Sequence, residues 1–102
     1  MPSRGEVWLV DLGLAGKIRP AVILNKPFTD ADRALITVIP HTQAVRGSSF
    51  EVQVPVPFLK GGAFLVQNPI TIPSVKAERL LGRLTPPQLA LVEAGVRGWL
   101  GL

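Results

Sequence analysis

The side chains best placed for chemistry are Arg19, His41, Thr42, Gln43, Arg46 and Gln67, each set where a strand-like run meets a loop. Arg19 precedes Pro20-Ala21-Val22-Ile23-Leu24. A short apolar run rich in β-branched residues reads as a strand covered on both faces. Pro20 fits the first position of that strand, where no ladder donor is needed. An arginine held at the mouth of a buried strand can grip a phosphate through two N–H groups, and it stays charged at any working pH. The simpler reading is an ordinary strand preceded by a solvated arginine. His41-Thr42-Gln43 follows directly on a second apolar run, Ala34–Pro40. His41 has the only side chain that titrates near neutrality. Because neighbours on an extended chain alternate, it is expected to point away from Thr42. His41 therefore reads either as a proton carrier or as a packing or surface histidine.

The inventory closes other routes. The chain has no cysteine, which removes disulfides, thiolate metal sites and cysteine nucleophiles. A lone histidine cannot form a His-based metal cluster, and no metal site is expected. Asp30 and Asp32 share a loop at a spacing that is not diagnostic of metal binding, and Gly61-Gly62 lacks the spacing of a phosphate loop. The 102 residues form one domain, 1–102, with 47% apolar and 18% charged residues, so disorder is not expected. A net charge of +4 suits a polyanion or an acidic protein partner, or simply keeps the chain soluble. No apolar run reaches membrane-spanning length and no signal peptide opens the chain, so a cytoplasmic protein without a membrane partner is expected.

The elements that must position these side chains are mostly strands. Gly5–Leu12 is apolar on both faces, with Trp8, Val10 and Leu12 on one and Val7 and Leu9 on the other, so it belongs inside the sheet. Gly13-Leu14-Ala15-Gly16 is a short flexible connection, and Asn25–Asp32 is rich in turn residues. Ala44–Ser49 carries Arg46 and Gly47 through a loop. Phe50–Pro57 alternates, with Phe50, Val52, Val54 and Val56 inward. Pro55 and Pro57 on the other face mark it as an edge strand. Lys60-Gly61-Gly62 reads as a hairpin turn into Ala63–Gln67. Thr71–Pro73 and Leu80–Leu84 are of uncertain type, and Ser74–Arg79 reads as a single helical turn. Thr85, Pro86 and Gln88 supply a cap, a first helical position and a capping box. Leu89, Val92, Val96 and Trp99 then form one apolar stripe, and Gly95 and Gly98 each cost the helix roughly 1 kcal/mol against alanine. Five or six short strands and one terminal helix predict a small antiparallel β-barrel with an appended C-terminal α-helix.

A family resemblance runs along nearly the whole chain. It is carried by Gly5-Glu6-Val7-Trp8 with Asp11-Leu12, by Arg19-Pro20-Ala21-Val22-Ile23-Leu24, and by Val38-Ile39-Pro40-His41-Thr42. Gly47 with Phe50-Glu51-Val52 follows, then Val66-Gln67-Asn68 with Thr71-Ile72-Pro73, and the Trp99-Leu100-Gly101-Leu102 end. In order and spacing these resemble the MazF/PemK toxins, the endoribonuclease halves of bacterial type II toxin–antitoxin pairs. The resemblance implies an SH3-like barrel of the MazF/CcdB kind that dimerises and cuts single-stranded RNA, including mRNA, at short sequences. It also implies that the arginine of the Arg-Pro motif and the threonine after the third strand, Arg19 and Thr42 here, are catalytic. The 2′-hydroxyl would attack the adjacent phosphorus and leave a 2′,3′-cyclic phosphate and a 5′-hydroxyl, with no metal or other cofactor. A cognate antitoxin with an acidic, disordered tail would cover the basic groove. The chain departs from its relatives in a shorter Gly13–Ile18 loop. Where some relatives carry an Arg and an Asp before the Gln67 position, it has Phe64-Leu65-Val66.

Elementary chemistry agrees with that implication. Attack on phosphorus builds charge on the non-bridging oxygens, which a fixed guanidinium stabilises and a Thr42 hydroxyl can bond. Lys17 and Arg46 suit phosphate tracking and Gln67 suits a base edge. Their plainer readings are solvated charges and a strand-end amide. Gln43 and His41 are further candidates for catalysis or substrate positioning. Phe28 is the one loop aromatic suited to base stacking, with Phe50 and Phe64 assigned to the core. Two alternatives use the same scaffold. In one, the C-terminal Trp99-Leu100-Gly101-Leu102 acts as in the gyrase-poisoning CcdB-like toxins, against the reading of Trp99 as the last core residue of the helix. In the other, the barrel is catalytically inactive and binds an acidic peptide.

Overall fold

The computed structural model describes residues 1–13 and 17–102. Of the expected flexible connection, Leu14–Gly16 lies outside the described residues. Seven strands, all paired antiparallel, are followed by one helix: β1 Glu6–Asp11, β2 Ile18–Ile23, β3 Leu35–Thr42, β4 Glu51–Val52, β5 Ala63–Leu65, β6 Ile70–Pro73, β7 Ala77–Arg83 and α1 Pro86–Leu100. A single 3-10 turn, Ser74–Lys76, joins β6 to β7. Helical geometry thus takes only the first half of the stretch expected to turn, because Ala77 onward pairs with β1. The sheet runs β4-β5-β3-β2-β1-β7, with β6 also on β3. Among the described residues β4 and β7 do not pair, so the curled, barrel-like sheet stays open.

Both faces of the central strands are buried, as their unbroken apolar runs require. Val7, Val22, Ile39, Phe64 and Val66 pack under the helix residues Leu89, Val92 and Val96. Val10, Ala21, Ile23, Ile36 and Val38 form a second cluster on the opposite face, with Trp8, Leu12 and Phe28 against it. The inward side of Phe50–Pro57 holds as expected, but only Glu51–Val52 makes a ladder. The prolines beyond it leave Val54 and Val56 to pack without pairing.

The helix starts where the capping box placed it. Thr85 accepts from the Gln88 amide at 3.3 Å, and the Gln88 side chain accepts from the Thr85 amide at 2.9 Å. Gly95 has a packing reason, because a β-carbon there would lie 2.9 Å from Val52 Cγ2 and 3.0 Å from Val66 Cγ1. Trp99 closes the core less fully than expected. It stays 42% exposed, with its ring 5.3 Å from Phe50 in an edge-on contact.

Pro20 decides where β2 and β3 part. The Leu12–Lys17 and Leu24–Thr37 backbone bonds set the alternation of bonded and non-bonded pairs along both ladders. Counting from them, Pro20 faces Leu9 in a non-bonded pair, so its missing N–H belongs on the β3 side. The β2–β3 ladder accordingly ends at Ala21↔Pro40. Pro20 is the third residue of β2 and not its first: the two residues before it pair with β1 alone, where the missing donor costs nothing. Pro40 has its own missing donor on the far side of β3, in the two-residue gap between Val38, where β6 stops, and His41, where β5 begins.

Candidate nucleic-acid interface

The same register, carried two residues past its last pair, sets Arg19 across from Thr42. The strands no longer bond there, because β3 continues onto β5 through His41↔Phe64 and Thr42↔Ala63. The splayed ends open a hollow of about 520 Å3 lined by Leu9, Arg19, Pro20, His41, Thr42, Gln43, Phe58, Lys60 and Arg79. Arg19 and Thr42 also line a second hollow of about 360 Å3, together with Arg46, Ser48, Glu51 and Gln67. The two hollows meet at Arg19 and Thr42 and form one groove with that pair at its middle.

Local bonding prepares each side chain. The Thr42 hydroxyl accepts the Ala44 amide at 3.1 Å. A hydroxyl has one proton and two lone pairs, so this bond orients the oxygen and leaves its proton to donate into the groove. The loop bearing Arg46 is tied down by Glu51, whose carboxylate accepts from the amides of Arg46 at 2.9 Å and Ser48 at 2.8 Å. Those amides, Arg46's first, hold the Glu51 carboxyl below its usual range. Arg19 is half-buried on β2, and Arg46 is exposed on its loop.

His41 behaves differently from Thr42. Strand alternation turns it toward the helix-side core, where its ring meets Phe64 edge-on at 5.0 Å. It is only 5% exposed, and burial pulls its imidazole below the usual range, toward the neutral form.

Of the sequence candidates, the fold brings Arg19, His41, Thr42, Gln43, Arg46 and Gln67 to the groove. Lys17 does not line it; that residue is exposed just before β2 with φ of 56°. Phe28 does not line the groove: it packs, partly buried, against the Val10–Ala21–Ile23 cluster and lines a separate small hollow near the N-terminus. Three groove residues had not been singled out: Phe58, Lys60 and Arg79. Lys60 lay within an expected turn. Arg79 lies on β7 opposite Leu9, in a stretch whose alternation is too weak to show a strand. Among the described residues, ion pairs occupy Arg4 (with Glu93), Lys76 and Arg83, and none involves Lys60 or Arg79. No described Asp, Glu and His side chains form a group of three able to hold a metal ion.

A basic groove at the splayed end of an open antiparallel sheet, with a hydroxyl and a guanidinium at its centre, defines a small polyanion-binding protein. The family described as PemK-like, MazF-like toxin of type II toxin-antitoxin system matches residues 3–100, and the chain belongs to it. No curated protein matches by sequence. Among solved structures, a Mycobacterium tuberculosis toxin, MazF-mt6, is similar at 27% identity and a TM-score of 0.79, covering 95% of this chain and 97% of that one. Deinococcus radiodurans MazF is similar at 25% identity and 0.82, covering 99% and 97%. A mycobacterial endoribonuclease in complex with its cognate antitoxin shares the fold at 22% identity and 0.84, covering 100% and 97%.

Proposed function

We propose that this toxin is a sequence-specific endoribonuclease that cuts single-stranded RNA in the groove centred on Arg19 and Thr42. The observation that carries this reading is the β2–β3 register, which carries those residues across a gap where the β2–β3 ladder has stopped. The scissile phosphate sits in that gap. The 2′-oxygen attacks phosphorus, the bond to the 5′-oxygen breaks, and the products are a 2′,3′-cyclic phosphate and a 5′-hydroxyl. The Arg19 guanidinium stabilises the charge growing on the non-bridging oxygens, and the Thr42 proton bonds one of them. Lys60, Arg79 and Arg46 hold the flanking phosphates. His41 faces the other side of β3 and is not assigned the proton transfers. The protein acts in the cytoplasm, and no described helix is long and apolar enough to cross a membrane. It works as a homodimer restrained by an antitoxin whose acidic tail lies along the groove; pairing with an antitoxin is supported by the relative solved in complex with its cognate antitoxin.

Incubating the purified protein with single-stranded RNA in EDTA tests this. Discrete cuts bearing 5′-hydroxyl and 2′,3′-cyclic phosphate ends are expected. Loss of cutting in EDTA, or 5′-phosphate ends, would contradict the mechanism.

A further inference from the structure

A third hollow, of about 290 Å3, adjoins the groove. It shares His41, Leu59 and Lys60 with the larger hollow and adds Gln53, Pro55 and Gly62. It takes in the side of β3 turned away from the scissile gap.

His41 is nearly buried, yet no described residue hydrogen-bonds its ring, while every fully buried side-chain nitrogen or oxygen among the described residues has a partner. Its ring nitrogens are therefore the part of it that remains accessible, through the hollows it lines. The Phe64 edge holds the ring in place. A β-carbon on Gly62 would lie 2.8 Å from His41 Cε1, so the missing side chain keeps that edge of the imidazole open. A neutral imidazole presents one donor and one acceptor, and the Gln53 amide presents both kinds of group on the exposed rim. Pro55 and Leu59 supply apolar wall. Lys60 stands at the junction, where the phosphate between two nucleotides would pass.

Resting on the nuclease reading above, we propose that this third hollow is a base-reading subsite: it seats the base of a nucleotide flanking the scissile one, with His41 and Gln53 bonding the base edge. A groove that bound phosphates alone would leave sequence unread; this subsite gives the chain a fixed preference at one position.

The test is to digest a randomised single-stranded RNA pool with the full chain and sequence the cut ends, for wild type, Gln53→Ala and His41→Gln. Gln53 is exposed, so its variant folds even if the histidine variant does not. Gln53→Ala is expected to relax discrimination at one flanking position by roughly five- to tenfold, the scale of one neutral hydrogen bond, with other positions unchanged. A folded His41→Gln relaxes the same position. A Gln53→Ala profile that superimposes on wild type, or that changes equally at every position, overturns the proposal while leaving the nuclease reading intact. A wild-type chain that cuts nothing overturns both.

Discussion

A β-carbon built on Gly62 would fall 2.1 Å from the carbonyl oxygen of Thr42. The turn before β5 is thus pressed against the backbone of the groove's central hydroxyl residue, and only glycine fits. The Gly62 φ of +149° independently disfavours a side chain. Gly62→Ala is expected to cost about 2–3 kcal/mol, the upper range for overpacking. RNA cleavage should fall further than the unfolded fraction explains, because Thr42 must move. Denaturant unfolding and cleavage rates, measured where the variant is still folded, check both parts.

The two helix glycines should respond with opposite signs. At Gly95 an added methyl meets Val52 and Val66, whereas at Gly98 nothing lies within 4 Å. Gly98→Ala should stabilise the protein by about 0.5–1 kcal/mol through helix propensity. Gly95→Ala should destabilise it by about 1–2 kcal/mol. Thermal or denaturant midpoints of the two variants read this directly.

That contrast shows what was legible in the chain. Capping placed the start of α1 to the residue, helix periodicity gave its apolar face, and apolar runs gave β1, β2 and β3, because those signals are local. The same signals priced Gly95 and Gly98 alike, since the neighbours that separate them come from β4 and Val66, far away in sequence. Arg19 and Thr42 stood out as strand-end polar residues, but their placement across one gap depends on the β2–β3 register and on where Pro20 stops it. Lys60 read as part of a turn, and Arg79 did not stand out because β7 alternates weakly and folds back beside β1. Phe28 looked like a stacking platform because it sits in a polar loop, and nothing local shows the core cluster that covers it.

His41 gives the folded protein a pH dependence of definite sign. Burial lowers its pKa in the folded state, so the unfolded chain binds more protons and stability rises with pH across that window. Stability should therefore fall as pH drops below about 6.5 and level off once the folded form also protonates. Glu51 acts in a separate, more acidic window, where its lowered pKa supports the fold until the carboxyl protonates. Unfolding midpoints at about pH 7.5 and about pH 5.5 should differ in wild type and differ less in His41→Gln.

Lys60 and Arg79 line the groove, and among the described residues neither is ion-paired. If each neutralises one phosphate, Lys60→Ala and Arg79→Ala should each flatten the plot of log affinity against log salt by roughly 0.7, the value for a single-stranded ligand. Lys26→Ala, an exposed cation outside the groove, should leave the slope unchanged. Titrations of a non-cleavable single-stranded oligonucleotide at several salt concentrations measure this.

The central claim is that a guanidinium and a hydroxyl, held across the gap between β2 and β3, act on one phosphate. Single-turnover cleavage of one RNA oligonucleotide in EDTA by wild type, Arg19→Ala and Thr42→Ala tests it most directly. The account predicts that each folded variant cuts at least ~10²-fold more slowly than wild type, while its unfolding midpoint stays close to the wild-type value. An Arg19→Ala protein that cuts the same bond at the wild-type rate would contradict it.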